Sequence, residues 1–136
     1  MKIDGQCLCG AIKIEAEADP AKTVVCHCTD CQSGTASAFR VSVPVAGDSL
    51  TITGTPKVYI RTTAESGNPR AQGFCGTCGS PLYATTPGEG KQPLYMLRVG
   101  ILRQRGDFTP KRQIWFRSAQ PWTTGLDTVP KIEKGS

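Results

Sequence analysis

Cys7-Leu8-Cys9-Gly10 and Cys75-Gly76-Thr77-Cys78-Gly79 are two short cysteine turns set about 65 residues apart, and each ends in glycine. Glycine tolerates the positive φ that lets backbone N–H groups wrap around a metal-bound sulfur. The two turns therefore read as two knuckles of one closed four-thiolate site. Between them lies Cys26-His27-Cys28-Thr29-Asp30-Cys31-Gln32, a cysteine triplet with no such glycine. Seven cysteines in three tight groups point to metal ligation, because an odd count leaves one thiol over in any disulfide scheme. If the ion is zinc, four thiolates close one tetrahedral site and the other three leave a second site with a vacant position. A rival grouping, Cys26 and Cys31 with Cys75 and Cys78, strands three thiols without a common geometry. A cysteine-ligated iron–sulfur cluster is disfavoured, since no four-cysteine run of cluster type occurs.

The 136 residues are expected to form one domain, 1–136, large enough to bury a core of its own and still use a metal staple. The start of the chain, Met1 to Gly10, is polar and cysteine-bearing and has no apolar segment of signal-peptide type. No apolar run is long enough to span a bilayer, so no membrane partner is expected. A reducing cytoplasm suits this chain, because thiols there stay free to ligate. The net charge is +5, and Arg98, Arg103, Arg105, Lys111, Arg112 and Arg117 face only Asp107 over their stretch. Such a strip is read as a solvated face, as a site for substrate carboxylates, or as a nucleic-acid surface.

Alternating and β-branched segments mark strands at Ala11–Glu17, Leu50–Thr53, Lys57–Arg61, Leu94–Val99 and Gln113–Arg117. Gly54-Thr55-Pro56, Ser66-Gly67-Asn68-Pro69 and Pro87-Gly88-Glu89-Gly90 separate them as turns. No segment sustains a helical period; a turn of helix after Cys28 through Gln32 has no long apolar face behind it. The fold class expected is mainly β. Trp115, Phe116 and Trp122 are read as core or pocket wall in preference to base-stacking platforms.

His27 is the one histidine of the chain. As a ligand it would close the middle site, but adjacent side chains in extended backbone point to opposite faces, which turns it away when Cys26 and Cys28 face the ion. Asp30 reads as a turn or capping residue before a carboxylate ligand.

Gly5-Gln6-Cys7-Leu8-Cys9-Gly10-Ala11, Cys26-His27-Cys28-Thr29-Asp30-Cys31-Gln32 and Phe74-Cys75-Gly76-Thr77-Cys78-Gly79 resemble, in order, the three cysteine signatures of the glutathione-dependent formaldehyde-activating enzyme family. Ile114-Trp115, Pro121-Trp122 and the tail from Leu126 to Glu133 are similar to that family's C-terminal part. The resemblance implies a β-tent of several coiled antiparallel sheets stapled by a structural zinc on Cys7, Cys9, Cys75 and Cys78. It implies a second, catalytic zinc on Cys26, Cys28 and Cys31. The activity it implies is carbon–sulfur lyase chemistry, the condensation of glutathione with formaldehyde to S-(hydroxymethyl)glutathione or its reversal, with a small thiol and a small aldehyde as partners. The chain departs from the family pattern at Gln113, where a histidine is expected, and at Ile101-Leu102-Arg103, where an acidic residue is expected. These departures bear on the substrate and not on the metal sites.

An open three-thiolate zinc suits a thiol substrate physically. A free thiol titrates near pH 8.5, whereas a thiol on zinc is deprotonated outright. Three anionic ligands weaken the Lewis acidity of the ion, which favours holding a thiol over activating water. Tyr83, Tyr95 and Arg98 are candidates to assist the alkoxide formed, with none assigned as general acid. The alternatives are a protein in which both metal sites only staple the fold, or a non-catalytic zinc-stabilised module that binds protein or nucleic acid through its basic face.

Overall fold

The structure is a computed structural model that describes residues 1–135. It is mainly β. Strands β1 (Lys2–Gln6), β2 (Lys13–Glu17) and β5 (Thr51–Thr53) form a three-stranded antiparallel sheet in the order β1-β2-β5. Strands β3 (Val24–Cys26), β4 (Arg40–Ala46), β6 (Lys57–Arg61), β7 (Arg70–Phe74), β8 (Pro81–Thr85), β9 (Leu94–Arg98) and β10 (Arg112–Ile114) form a second sheet in the order β10-β3-β4-β9-β8-β7-β6. Among the described residues the one α-helix, α1 (Thr29–Thr35), follows β3.

The sheets are built by alternation. Along β2, Ile14 and Ala16 are buried while Lys13, Glu15 and Glu17 face water, the expected pattern for a sheet with one wet face. Along β4, Val43 and Val45 enter the core and Arg40 and Ser42 are presented on the opposite face. Ile14, Leu50, Leu82, Leu97 and Leu102 are fully buried between the two sheets, each worth about 2 kcal/mol of burial.

Several expectations are corrected. The segment Gln113–Arg117 is not one strand: β10 stops at Ile114 because Trp115 takes a left-handed conformation (φ 53°) and the chain turns through a single 3-10 turn, Phe116–Ser118. The pairing is not wholly antiparallel, since β10 runs parallel to β3 with Ile114 beside Cys26. A partner so distant in sequence has the long return that a parallel pair needs. The helix after Cys28 extends beyond Gln32 to Thr35 and is held by capping, not by an apolar face: the Cys28 Sγ accepts from the Cys31 N–H at 3.3 Å. Strands β1, β3, β4, β7 and β8 lay outside the segments singled out from sequence.

Candidate metal centres

The first cysteine group grows out of two matching turns, one after β1 and one after β7. In each, the first cysteine pairs its N–H with a carbonyl beyond the turn: Cys7 with Ile12 at 3.0 Å and Cys75 with Ser80 at 3.0 Å. In each, the closing glycine donates back to that cysteine's carbonyl, Gly10 to Cys7 at 3.0 Å and Gly79 to Cys75 at 2.8 Å. Both glycines are left-handed, at φ 81° and 79°. Backbone N–H groups then reach the sulfurs, from Ile12 to Cys7 Sγ at 3.2 Å and from Thr77 to Cys75 Sγ at 3.4 Å. Ser80 ties the two turns together, accepting from the Leu8 N–H at 3.0 Å and meeting Cys78 Sγ at 3.2 Å. That contact is the first cause holding the Cys78 thiol down at about 5.

The four sulfurs of Cys7, Cys9, Cys75 and Cys78 lie within 4.8 Å of one another. A tetrahedron with zinc–sulfur bonds of about 2.3 Å has edges of about 3.8 Å. The Cys7–Cys9 and Cys9–Cys75 sulfurs stand at 3.7 and 3.8 Å. The group therefore fits a zinc ion, and it links the end of a strand in the small sheet to the end of one in the large sheet.

Cys26, Cys28 and Cys31 form a second group with the same mutual reach. Cys26 ends β3 between Ile114 of β10 and Arg40 of β4, Cys28 caps α1, and Cys31 is buried in its first turn. Shared hydrogen bonding with Cys26, with Arg40 adding to it, holds the Cys31 thiol down at about 5, while the same Cys31 contact and burial push Cys26 up. Gln32 anchors the group from behind, donating to the carbonyls of His27 at 2.8 Å and Ser118 at 2.9 Å.

His27 belongs to neither group. It is 1% exposed, its Nε2 donates to Gln113 Oε1 at 2.7 Å, and its ring meets Phe39 and Phe116 edge-on at 5.6 and 5.4 Å. It follows β3 directly and packs against Phe39 and Phe116, away from the cavity that Cys26 and Cys28 line. Asp30 is also outside both groups; it accepts from Thr63 Oγ1 at 2.8 Å and lies 3.8 Å from Arg61 Nε.

The trio opens onto a cavity of about 270 Å³ on the face of the large sheet away from the core. Arg40, Arg61, Arg70 and Arg98 all line it, and so does Trp115. Three of these arginines, Arg40, Arg61 and Arg70, were not singled out from sequence. Their signal was the polar half of an alternating strand, which reads as an ordinary wet face until the sheet is seen to coil over it. The basic strip proposed from residues 98–117 does not form one surface. Arg98 is buried in the cavity, Arg103 pairs with Asp4 at 2.8 Å and Arg117 pairs with Glu65. Burial, then the nearby Arg40 charge, pull Arg98 down to about 9. Tyr83 and Tyr95 do not line the cavity; they stack edge-on in the core at 5.1 Å.

The family model described as glutathione-dependent formaldehyde-activating enzyme matches residues 2–118. The chain belongs to the glutathione-dependent formaldehyde-activating enzyme family. The crystal structure of a Rhodobacter sphaeroides protein is similar in fold, with a TM-score of 0.59 at 21% identity, over 81% of this chain and 98% of that one. A search of curated proteins gives no match. Membership of the formaldehyde-activating family agrees with the two cysteine groups, each able to hold a metal ion. Among the described residues no helix is long and apolar enough to cross a membrane.

Proposed function

We propose that the protein, as one domain, is a zinc-dependent carbon–sulfur lyase of the S-(hydroxymethyl)glutathione synthase type, adding a glutathione-like thiol to a small aldehyde or releasing it. The observation that carries this reading is the contrast in surroundings: the three-cysteine group lines a cavity, and around the four-cysteine group the turns' own backbone N–H groups and Ser80 close on the sulfurs. In this reading Cys7, Cys9, Cys75 and Cys78 hold a structural ion, and Cys26, Cys28 and Cys31 hold the ion at which chemistry occurs. Zinc bound by the trio would lower the pKa of an incoming thiol. The chain does the rest. Cys26, Cys28 and Cys31 would hold the ion at the cavity wall, and Gln32 keeps α1 in place. Trp115 and Ile114 cover one side of the cavity and limit water, while the arginines offer donors to the carboxylates of the thiol and to the oxygen that gains charge during attack. All seven cysteines are free thiols, which suits a reducing, cytoplasmic setting.

Titration of glutathione into the cobalt-substituted protein tests this reading. A thiolate-to-cobalt absorption change that saturates at one glutathione per chain is expected. A spectrum indifferent to glutathione, with two ions bound, would leave both metals as staples.

A further inference from the structure

We infer that the aldehyde taken by the three-cysteine site carries its own carboxylate next to the carbonyl, an aldehyde of the 2-oxo acid class, held by Arg40 and Arg98. This rests on the reading of the site as a thiol-adding centre and concerns only its second substrate.

The cavity holds far more positive charge than an uncharged aldehyde can use. Its four arginines face two carboxylates, Asp30 and Glu65, and Glu65 is already paired with Arg117. Asp30 lies against Arg61. Three thiolates around a dication add one net negative charge. Two arginines are left without a counter-charge in the thiol-free site, and one is left once a bound thiol has lost its proton.

The depth of those charges identifies what they serve. Arg40 and Arg98 are the buried pair, 5% and 9% exposed, whereas Arg61 and Arg70 are only half-buried. The Nε of Arg40 and that of Arg98 have no hydrogen-bond partner, and Arg98 Nη1 is satisfied by Ser42 Oγ at 2.9 Å. Arg40 already shares the anionic Cys31 sulfur, whereas Arg98 has only the neutral Ser42 hydroxyl beside it, and a buried cation so placed is strongly disfavoured, so an anion belongs next to Arg98 with Arg40 in reach. Arg40 stands directly across the ladder from Cys26, and Arg98 stands across from Ser42, the next cavity-facing residue of β4. The innermost positive charge is therefore beside the reacting centre. The carboxylates of a glutathione-like thiol are many bonds from its sulfur and fall toward the outer arginines, Arg61 and Arg70. A carboxylate bonded directly to the attacked carbon falls on the inner pair, where planar guanidinium donors match it.

The step balances without a further reactant. The thiol loses its proton to solvent on binding, the sulfur–carbon bond forms as the carbonyl π bond breaks, and its electron pair passes to oxygen, which takes a proton from solvent. The product is a thiohemiacetal that keeps the carboxylate, and nothing is oxidised or reduced.

The test uses the zinc-loaded protein with glyoxylate and acetaldehyde, two aldehydes of similar size of which only the first carries a carboxylate; their different intrinsic reactivity is removed by dividing by the uncatalysed rates. Calorimetric titration without thiol is expected to show glyoxylate binding that weakens at least about tenfold in Arg98→Met, and no binding of acetaldehyde. With glutathione present, and each rate divided by its own uncatalysed rate, wild type should favour glyoxylate by about 100-fold, a preference that collapses toward parity in Arg98→Met. Gly34→Ala is the second variant: a Cβ there would strike Arg40 Nη2, while alanine itself favours the helix, so it displaces Arg40 without cost to α1. It should lower the glyoxylate preference as well, and it serves alone if Arg98→Met does not fold. Equal use of the two aldehydes by wild type would overturn the inference. So would variants that raise the KM for glutathione and keep the preference for glyoxylate, since the inner arginines would then serve the thiol. If glutathione changes the cobalt spectrum and only uncharged aldehydes react, this inference fails alone. If glutathione leaves the spectrum unchanged and neither aldehyde reacts, the thiol-adding reading fails with it.

Discussion

The two cysteine groups use the same ligand chemistry in opposite surroundings. In the four-cysteine group the chain closes around the sulfurs with two matching turns, two left-handed glycines, backbone donors to sulfur, and Ser80 bridging the halves. In the three-cysteine group the ligands come from a strand end and a helix cap, and the side they leave open faces a cavity lined by arginines. What separates the two groups is the fourth sulfur, supplied by the chain in one case and missing in the other, where the open side meets the cavity.

The contrast can be broken most severely at the four-cysteine group. Cys75→Ser is expected to remove one ligand from a buried position and destabilise the protein by several kcal/mol, most of what a domain of this size possesses, seen as a collapse of the denaturant midpoint. If Cys75→Ser folds as well as wild type, that group is no staple.

Behind the open group, His27→Ala should cost about 3 kcal/mol, because it empties a buried position and leaves Gln113 without its partner. Zinc content should remain at the wild-type level in that variant. Loss of one ion would instead mark His27 as a ligand.

Cys28→Ser separates the two groups most cleanly. Serine is a good N-cap, so α1 keeps its first hydrogen bond and stability should move by less than about 1 kcal/mol. Glutathione binding should fall at least about 100-fold, as read by the cobalt absorption titration. Equal unfolding of Cys28→Ser and Cys75→Ser would erase the distinction between the groups.

The smallest effect is expected at the turn glycines. Gly79→Ala has open space for its Cβ, so its cost is the left-handed backbone alone, about 1 kcal/mol by thermal unfolding. A cost several times larger would show that the knuckle geometry controls metal affinity itself.

Much of this was legible in the residues, and the reasons are specific. Closely spaced cysteines announce themselves, and the glycines after Cys9 and Cys78 showed which pairs share a turn geometry. Strands β2 and β6 were readable from alternation and β-branched content, with ends within a few residues of those observed. Strand β4 was harder, since Pro44 within Arg40–Ala46 argues against a central strand. The end of β10 was hidden because nothing in Trp115 signals a left-handed residue. The arginines of the cavity were hidden for a topological reason: Arg40, Arg61, Arg70 and Arg98 lie on four strands, and only the coiling of the sheet gathers them around Cys26, Cys28 and Cys31.

The most direct measurement is zinc K-edge X-ray absorption of the fully loaded protein before and after one equivalent of glutathione. Two zinc ions per chain are expected, with an average of about 3.5 sulfur neighbours each that rises to about 4 when the thiol binds. A single zinc per chain, or a sulfur count that glutathione leaves unchanged, would contradict the division into one closed and one open centre.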